Sequence, residues 1–104
     1  MIETLKKIFG IGPSADYAQL VKDGAIILDV RTKGEYTNGH IRGSLNISVD
    51  QLSANLHRLP NKQVPIITCS ASGMRSASAK SILKAKGYAR VYNGGGWARL
   101  QSKI

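Results

Sequence analysis

Acidic residues are missing from the whole second half of this 104-residue chain. Residues 51–104 hold nine Lys/Arg and no Asp or Glu, whereas residues 1–50 hold all six acids and six basic residues. The C-terminal half therefore carries a positive field that draws small anions or an acidic partner, beyond what the net charge of +9 alone conveys. Cysteine is nearly absent as well: a single residue, Cys69, excludes an internal disulfide framework and a cysteine-based zinc cluster. No apolar run approaches the roughly 18 residues of a membrane span. The apolar stretch near Met1 is too short for a secretory signal core, so a cytoplasmic location is the default expectation, with the periplasm open to a trimmed form. Aromatics make up 6% and do not interleave with the basic residues, so only nonspecific attraction to nucleic acid is expected.

What is present is a β–α alternation. Ile2, Leu5, Ile8 and Phe9 have helical spacing, and Gly10, Gly12 and Pro13 break it, which sets residues 1–13 apart as a helix or tail before a domain over 14–104. Ser14 is positioned to cap a helix near 15–23 that Gly24 closes. Ala25 to Val30 is a near-continuous apolar run, the pattern of a strand covered on both faces. Thr32–Thr37 reads as a short helix and Leu45–Ile47 as a brief strand. Ser48 with Gln51, followed by Leu52, Leu56 and Leu59, predicts a capped helix to about Leu59 that Pro60 ends. A central strand over 65–69, a helix over 74–86 with Ala79, Ile82 and Leu83 inward, and a last strand over 89–92 before Gly94–Gly96 complete the series. Short connections between alternating elements predict an α/β fold, a small parallel sheet flanked by helices on both faces.

The chemistry centres on Pro65 to Ser76. A strand, a loop of small residues and a helix N-terminus aim backbone N–H groups and partial positive charge at one spot, which suits an anion or a thiolate. Arg75 adds a planar charge. Ala71, Ser72, Gly73, Met74 and Ser76 complete this candidate anion-binding loop. In such sheets ligands bind beyond the carboxyl ends of the strands, where this loop falls.

Five segments in order, Asp29-Val30-Arg31, Glu35-Tyr36, Gly39-His40-Ile41 with Gly43 to Ile47, Ser72 to Ser76, and Tyr92-Asn93-Gly94-Gly95, resemble the single-domain rhodanese (thiosulfate sulfurtransferase) family over roughly residues 14–100. The resemblance implies a rhodanese-like fold and transfer of sulfane sulfur from a donor such as thiosulfate, through a cysteine persulfide, to a thiophilic acceptor. It implies no metal or organic cofactor. The partners it points to are a small anionic sulfur donor and an acidic or thiol-containing protein.

In the family pattern Cys-x-x-Gly-x-Arg-Ser/Thr, counting back from Gly73 and Arg75 puts the nucleophile at residue 70, which here is serine, with Cys69 one place early. A serine hydroxyl offers no accessible anion and stores no sulfur. Three readings stay open. Ser70 replaces a cysteine, in nature or by engineering, so that the chain as written is inactive or weak. Cys69 is itself the nucleophile, with Cys69-x5-Arg75 resembling the wider-loop phosphatases and arsenate reductases. Or the domain is a silent binding module. The family resemblance gives Asp29 and Arg31 the role of bracing the loops near the site, and Glu35 belongs either to that ionic set or to acid catalysis. His40 is expected in a packing turn, His57 in solvent, and Trp97 over the core or at the mouth of the site.

Overall fold

The computed structural model describes residues 15–104. The suggested 2–9 helix and the Ser14 cap lie outside them. Helix α1 spans Tyr17–Lys22, and its N-cap is Asp16, whose carboxylate accepts from the Gln19 amide at 3.0 Å. Strand β1 (Ile26–Asp29), helix α2 (Lys33–Thr37) and strand β2 (Leu45–Asn46) follow. Thr32 and Glu35 form a reciprocal capping box on α2. After two 3-10 segments come β3 (Ile66–Ser70), α3 (Met74–Ala85), β4 (Val91–Gly96) and α4 (Trp97–Gln101).

The four strands form one all-parallel sheet in the order β2-β1-β3-β4. Residues alternate between its two faces, and each face has its own core. On one, Leu28, Val30 and Ile66 pack with Ala79 and Leu83 of α3 and with Leu52, Leu59 and Tyr88. On the other, Ile27, Ile67 and Cys69 pack with Ile41 and with Leu100 of α4, while Tyr17, Leu20 and Val21 of α1 close over them. A fully buried leucine such as Leu83 contributes about 1.5–3 kcal/mol by leaving water, so the two clusters carry most of the stabilisation. Helices on both faces are what the strand pattern predicted. Ile82 is only half-buried, so Ala79 and Leu83 form the buried stripe of α3.

Three expectations need correction. The helix predicted after Ser48 is instead two 3-10 segments, Val49–Gln51 and Ser53–Arg58, and Ser48 makes no side-chain cap bond. The amides of Ile47 and Val49 bond to the carbonyls of Asp29 and Val30, which ties the segment to the end of β1. Asn55 leaves helical geometry at φ −123° and turns its side chain back to the Gln51 carbonyl. The last strand starts two residues later than predicted and runs through the triple glycine. A Cβ at Gly94 would stand 2.8 Å from Ile67 Cγ2 and 2.9 Å from Leu100 Cδ2, so here glycine permits close packing within a strand. Finally, β3 extends to Ser70, so Cys69 is its penultimate residue and not its last.

Candidate functional site

The alternation of β3 separates the two residues in question. Cys69 shares a face with Ile67, fully buried in the cluster with Ile27, Ile41 and Leu100. Ser70 faces the other way, toward the start of α3, and is 1% exposed. Its Oγ accepts from the amide of Gly73 at 3.0 Å and from that of Ser76 at 3.2 Å, and lies 3.2 Å from Ser76 Oγ. The loop thus closes around the side chain of residue 70.

Gly73, at φ +105°, makes this turn possible as the N-cap of α3. A side chain there is strained, and its Cβ would also meet Gly95 Cα at 3.4 Å. Asn93 of β4 ties the loop down: its Oδ1 accepts from Ser76 Oγ at 2.7 Å and from the Gly95 amide at 3.0 Å. Thr68 Oγ1 donates to the Ser76 carbonyl at 2.9 Å from below. The amides of Met74 and Arg75, in the first turn of α3, find no acceptor among the described residues. Ala71, Ser72 and Met74 are exposed, so the rim of the ring is open to solvent.

Arg75 does not project freely over the loop. Its two terminal nitrogens donate to Glu35 Oε1 and Oε2 at 2.6 and 2.9 Å, and both side chains are about one-third exposed, at 36% and 37%. The guanidinium, helped by the Thr32 amide, holds the Glu35 carboxyl well below the usual range, at about 2. Glu35 thereby links α2 to the loop across 40 residues of sequence. Its carboxylate pairs with Arg75 and not with Arg31.

Asp29 and Arg31 form a separate, buried pair. Arg31 Nη2 donates to Asp29 Oδ2 at 2.7 Å, and the two residues are 4% and 0% exposed. Arg31 also donates to the carbonyls of Gly39 at 2.7 Å and Glu35 at 3.3 Å, and its guanidinium carbon lies 4.6 Å from the centroid of the Trp97 ring. Together they pin the second half of α2 and the turn that follows it, through the carbonyls of Glu35 and Gly39. Trp97 is half-buried on the Cys69 face of the sheet. His40 stacks on Tyr36 with ring centroids 3.8 Å apart, and His57 is exposed. Burial raises the Cys69 thiol to about 12, reinforced by the Asp29 charge and only partly offset by Arg31.

The sequence reading missed Glu35 as partner of Arg75 and Asn93 as the tie of the loop. A lone acid two residues past a basic one on a short helix gives no pointer to an arginine 40 positions on. Asn93 stood in a quoted motif, but its long-range bond to Ser76 has no local signature.

Chemically, the ring can stabilise negative charge on whatever atom occupies the end of the residue-70 side chain, and an open rim with two spare amides can meet an incoming anion. Among the described residues no helix is long and apolar enough to cross a membrane.

Comparison with known proteins agrees with this architecture. The Rhodanese-like domain family model matches residues 14–103. The chain is 31% identical over 75 residues to the uncharacterized protein YibN of Escherichia coli K12, covering 68% of this chain and 51% of that protein, so it spans about half the length of that relative. It is 31% identical over 70 residues to the thiosulfate sulfurtransferase PspE of the same organism, covering 66% of this chain and 67% of that one. Among solved structures, a rhodanese with anions from E. coli superposes with a TM-score of 0.69 at 28% identity, covering 73% of this chain and 91% of that one. With the family model matched over residues 14–103 and the parallel α/β domain superposing on a solved rhodanese, the chain belongs to the rhodanese-like domain family.

Proposed function

We propose that this domain is built for sulfane-sulfur transfer with position 70 as the sulfur-carrying seat, and that Ser70 leaves the chain as it stands without the atom that carries sulfur. One observation supports this above others: the amides of Gly73 and Ser76 converge on the Oγ of residue 70, while the lone thiol at 69 lies on the opposite face of the sheet.

The chemistry follows from the ring. A thiol at 70 would meet two amide donors and the N-terminus of a 12-residue helix, all of which favour its anion. That thiolate attacks the sulfane sulfur of thiosulfate. A new sulfur–sulfur bond forms, the old one breaks, and sulfite leaves with the bonding pair. A thiophilic acceptor such as cyanide then takes the terminal sulfur as thiocyanate and returns the thiolate; cyanide is oxidised by the two electrons that reduce thiosulfate to sulfite, so no outside oxidant or reductant is needed. Ser70 supports neither step, because its hydroxyl stays protonated at neutral pH and forms no persulfide. The donor class is a small anion such as thiosulfate, the compartment is the reducing cytoplasm, and no metal or organic cofactor is invoked.

The test is thiosulfate:cyanide transfer, read as thiocyanate, in the chain and in Ser70→Cys. The chain is expected to be silent, and Ser70→Cys to turn over and to gain one sulfur in its intact mass after thiosulfate treatment. An inert Ser70→Cys, together with an activity of the original chain that Cys69→Ala abolishes, would overturn the assignment in favour of Cys69.

A further inference from the structure

Two adjoining concavities lie away from the loop. A cavity of about 530 Å3 lies between α2, the outer strand β2 and the second 3-10 segment, with Lys33, Tyr36, Leu45 and Arg58 in its walls. A second, of about 180 Å3, adjoins it and shares Lys33, Asn46 and Arg58. Neither is lined by any residue of the 70–76 loop. We propose that this joined cavity is a second binding site, for a small organic ligand that carries a phosphate or carboxylate group, with Lys33 and Arg58 holding the anion and Tyr36 and Leu45 the apolar body.

The argument rests on how the chain distributes its few acids. Two arginines already described are neutralised: Arg31 by Asp29 and Arg75 by Glu35. Lys33 and Arg58 are not. No Asp or Glu lines either cavity, and among the described residues Lys33 Nζ has no acceptor. Arg58 gives one terminal nitrogen to the Asn46 carbonyl at 3.1 Å, which fixes the guanidinium in the wall and leaves its other donors available. Two uncompensated cations at the junction of two concavities focus positive potential where a ligand anion would sit. Two further polar side chains of the walls are already engaged. Tyr36 Oη donates to the Ser44 carbonyl at 2.7 Å and Asn46 Nδ2 to the Asp29 and Arg31 carbonyls at 2.9 Å, so the walls are set before a ligand arrives. The volume suits a small molecule.

Helix α2 serves both places. Residues 33, 36 and 37 are spaced i, i+3, i+4 and share the face that lines the cavity, whereas Glu35 points off that face to Arg75. The second site therefore stands apart from the loop and does not depend on sulfur transfer.

The test is an NMR titration of the isotope-labelled chain with phenyl phosphate, benzoate and inorganic phosphate. Saturable shifts are expected at the amides of Lys33, Thr37 and Asn46, with phenyl phosphate or benzoate saturating below inorganic phosphate. Lys33→Gln with Arg58→Gln, both exposed positions, should weaken binding at least about tenfold. Lys84→Gln with Lys86→Gln removes the same charge elsewhere and should leave it unchanged. Which of the two aromatic probes binds tighter assigns the head group. Shifts centred on 71–76, or equal weakening in both double variants, would overturn the proposal and leave only general attraction to a basic protein. The Ser70→Cys assay is unaffected by either result.

Discussion

Cys69 should be among the least reactive thiols a folded protein can present. It is 0% exposed, and burial raises its thiol to about 12. At pH 8 a thiol of that acidity is about one part in ten thousand thiolate, against about a quarter for a free thiol near 8.5, a ratio of roughly 2,000 before any steric exclusion is counted. The apolar wall of Ile27, Ile41 and Leu100 adds that exclusion, so labelling must await opening of the sheet's second face. The assay is reaction with an aromatic disulfide reagent, followed by absorbance, in buffer and in denaturant. We expect folded chain to label at least about a thousandfold more slowly than unfolded chain. Ser70→Cys should show one fast and one slow thiol, with the fast label mapping to residue 70 by peptide mass. Native labelling of Cys69 within tenfold of the unfolded rate would refute the reasoning, because it would require an accessible, ionisable sulfur at a place where the fold provides neither property.

Asp29→Asn leaves the Arg31 guanidinium buried without its counter-charge and should cost about 3–5 kcal/mol, measured by denaturant unfolding. Gly94→Ala forces a methyl to within 2.9 Å of Leu100 Cδ2 and the Thr68 carbonyl and should cost about 1–3 kcal/mol, a fall in Tm of roughly 4–24 °C; an unchanged Tm would show that β4 packs less tightly than described. The Glu35 carboxyl is lowered in the folded chain from 4.5 to about 2, so its pairing with Arg75 is fully present above 4.5 and lost only as pH falls through about 2. A carboxyl resonance titrating near the ordinary value would remove that pair. In a Ser70→Cys background, Glu35→Gln should free Arg75 for the donor anion and lower KM for thiosulfate severalfold with kcat little changed, whereas a purely structural Glu35 would lower kcat as well.

The parts of this fold legible in the sequence are those set by short-range pattern. The apolar runs at 25–30 and 65–69 read as strands and are found as Ile26–Asp29 and Ile66–Ser70, and the α3 helix follows from its spacing and from Gly73 and Gly87, both at positive φ. The segment 48–59 misled because a capping box and three leucines carry helical information locally, while the bonds that shape it run to Asp29 and Val30 of another element. The triple glycine misled for a related reason. Glycine reads as a breaker when nothing is known of its neighbours, and only Ile67 and Leu100 pressing on Gly94 show why a strand has no side chain there. At the site, the strand–loop–helix course was legible and its ionic wiring was not. The Glu35–Arg75 pair and the Asn93 tie depend on three-dimensional adjacency, and Arg75 looked free because its partner lies 40 residues away.

The separation of sulfur from seat follows from strand geometry. Neighbouring residues on a strand point to opposite faces, so moving a sulfur by one position exchanges an amide-lined cage for an apolar core. The loop cannot slip to compensate. Gly73 must keep its positive φ, Ser76 is bonded to Asn93, and β3 is paired on both sides, with Asp29 of β1 opposite Cys69 and, across a register shift after Thr68, Gly96 of β4 opposite Ser70. A slip that brought Cys69 into the ring would put Ser70 beyond the strand, move the Thr68 hydroxyl from its bond with the Ser76 carbonyl into the apolar cluster around Ile41 and Leu100, and leave that buried donor unpaired, at a cost of about 1–3 kcal/mol. The same rigidity that makes Cys69 inert is what should let a thiol at 70 find its donors already in place, because Gly73 and Ser76 hold their amides on that position through the backbone and not through any property of the serine.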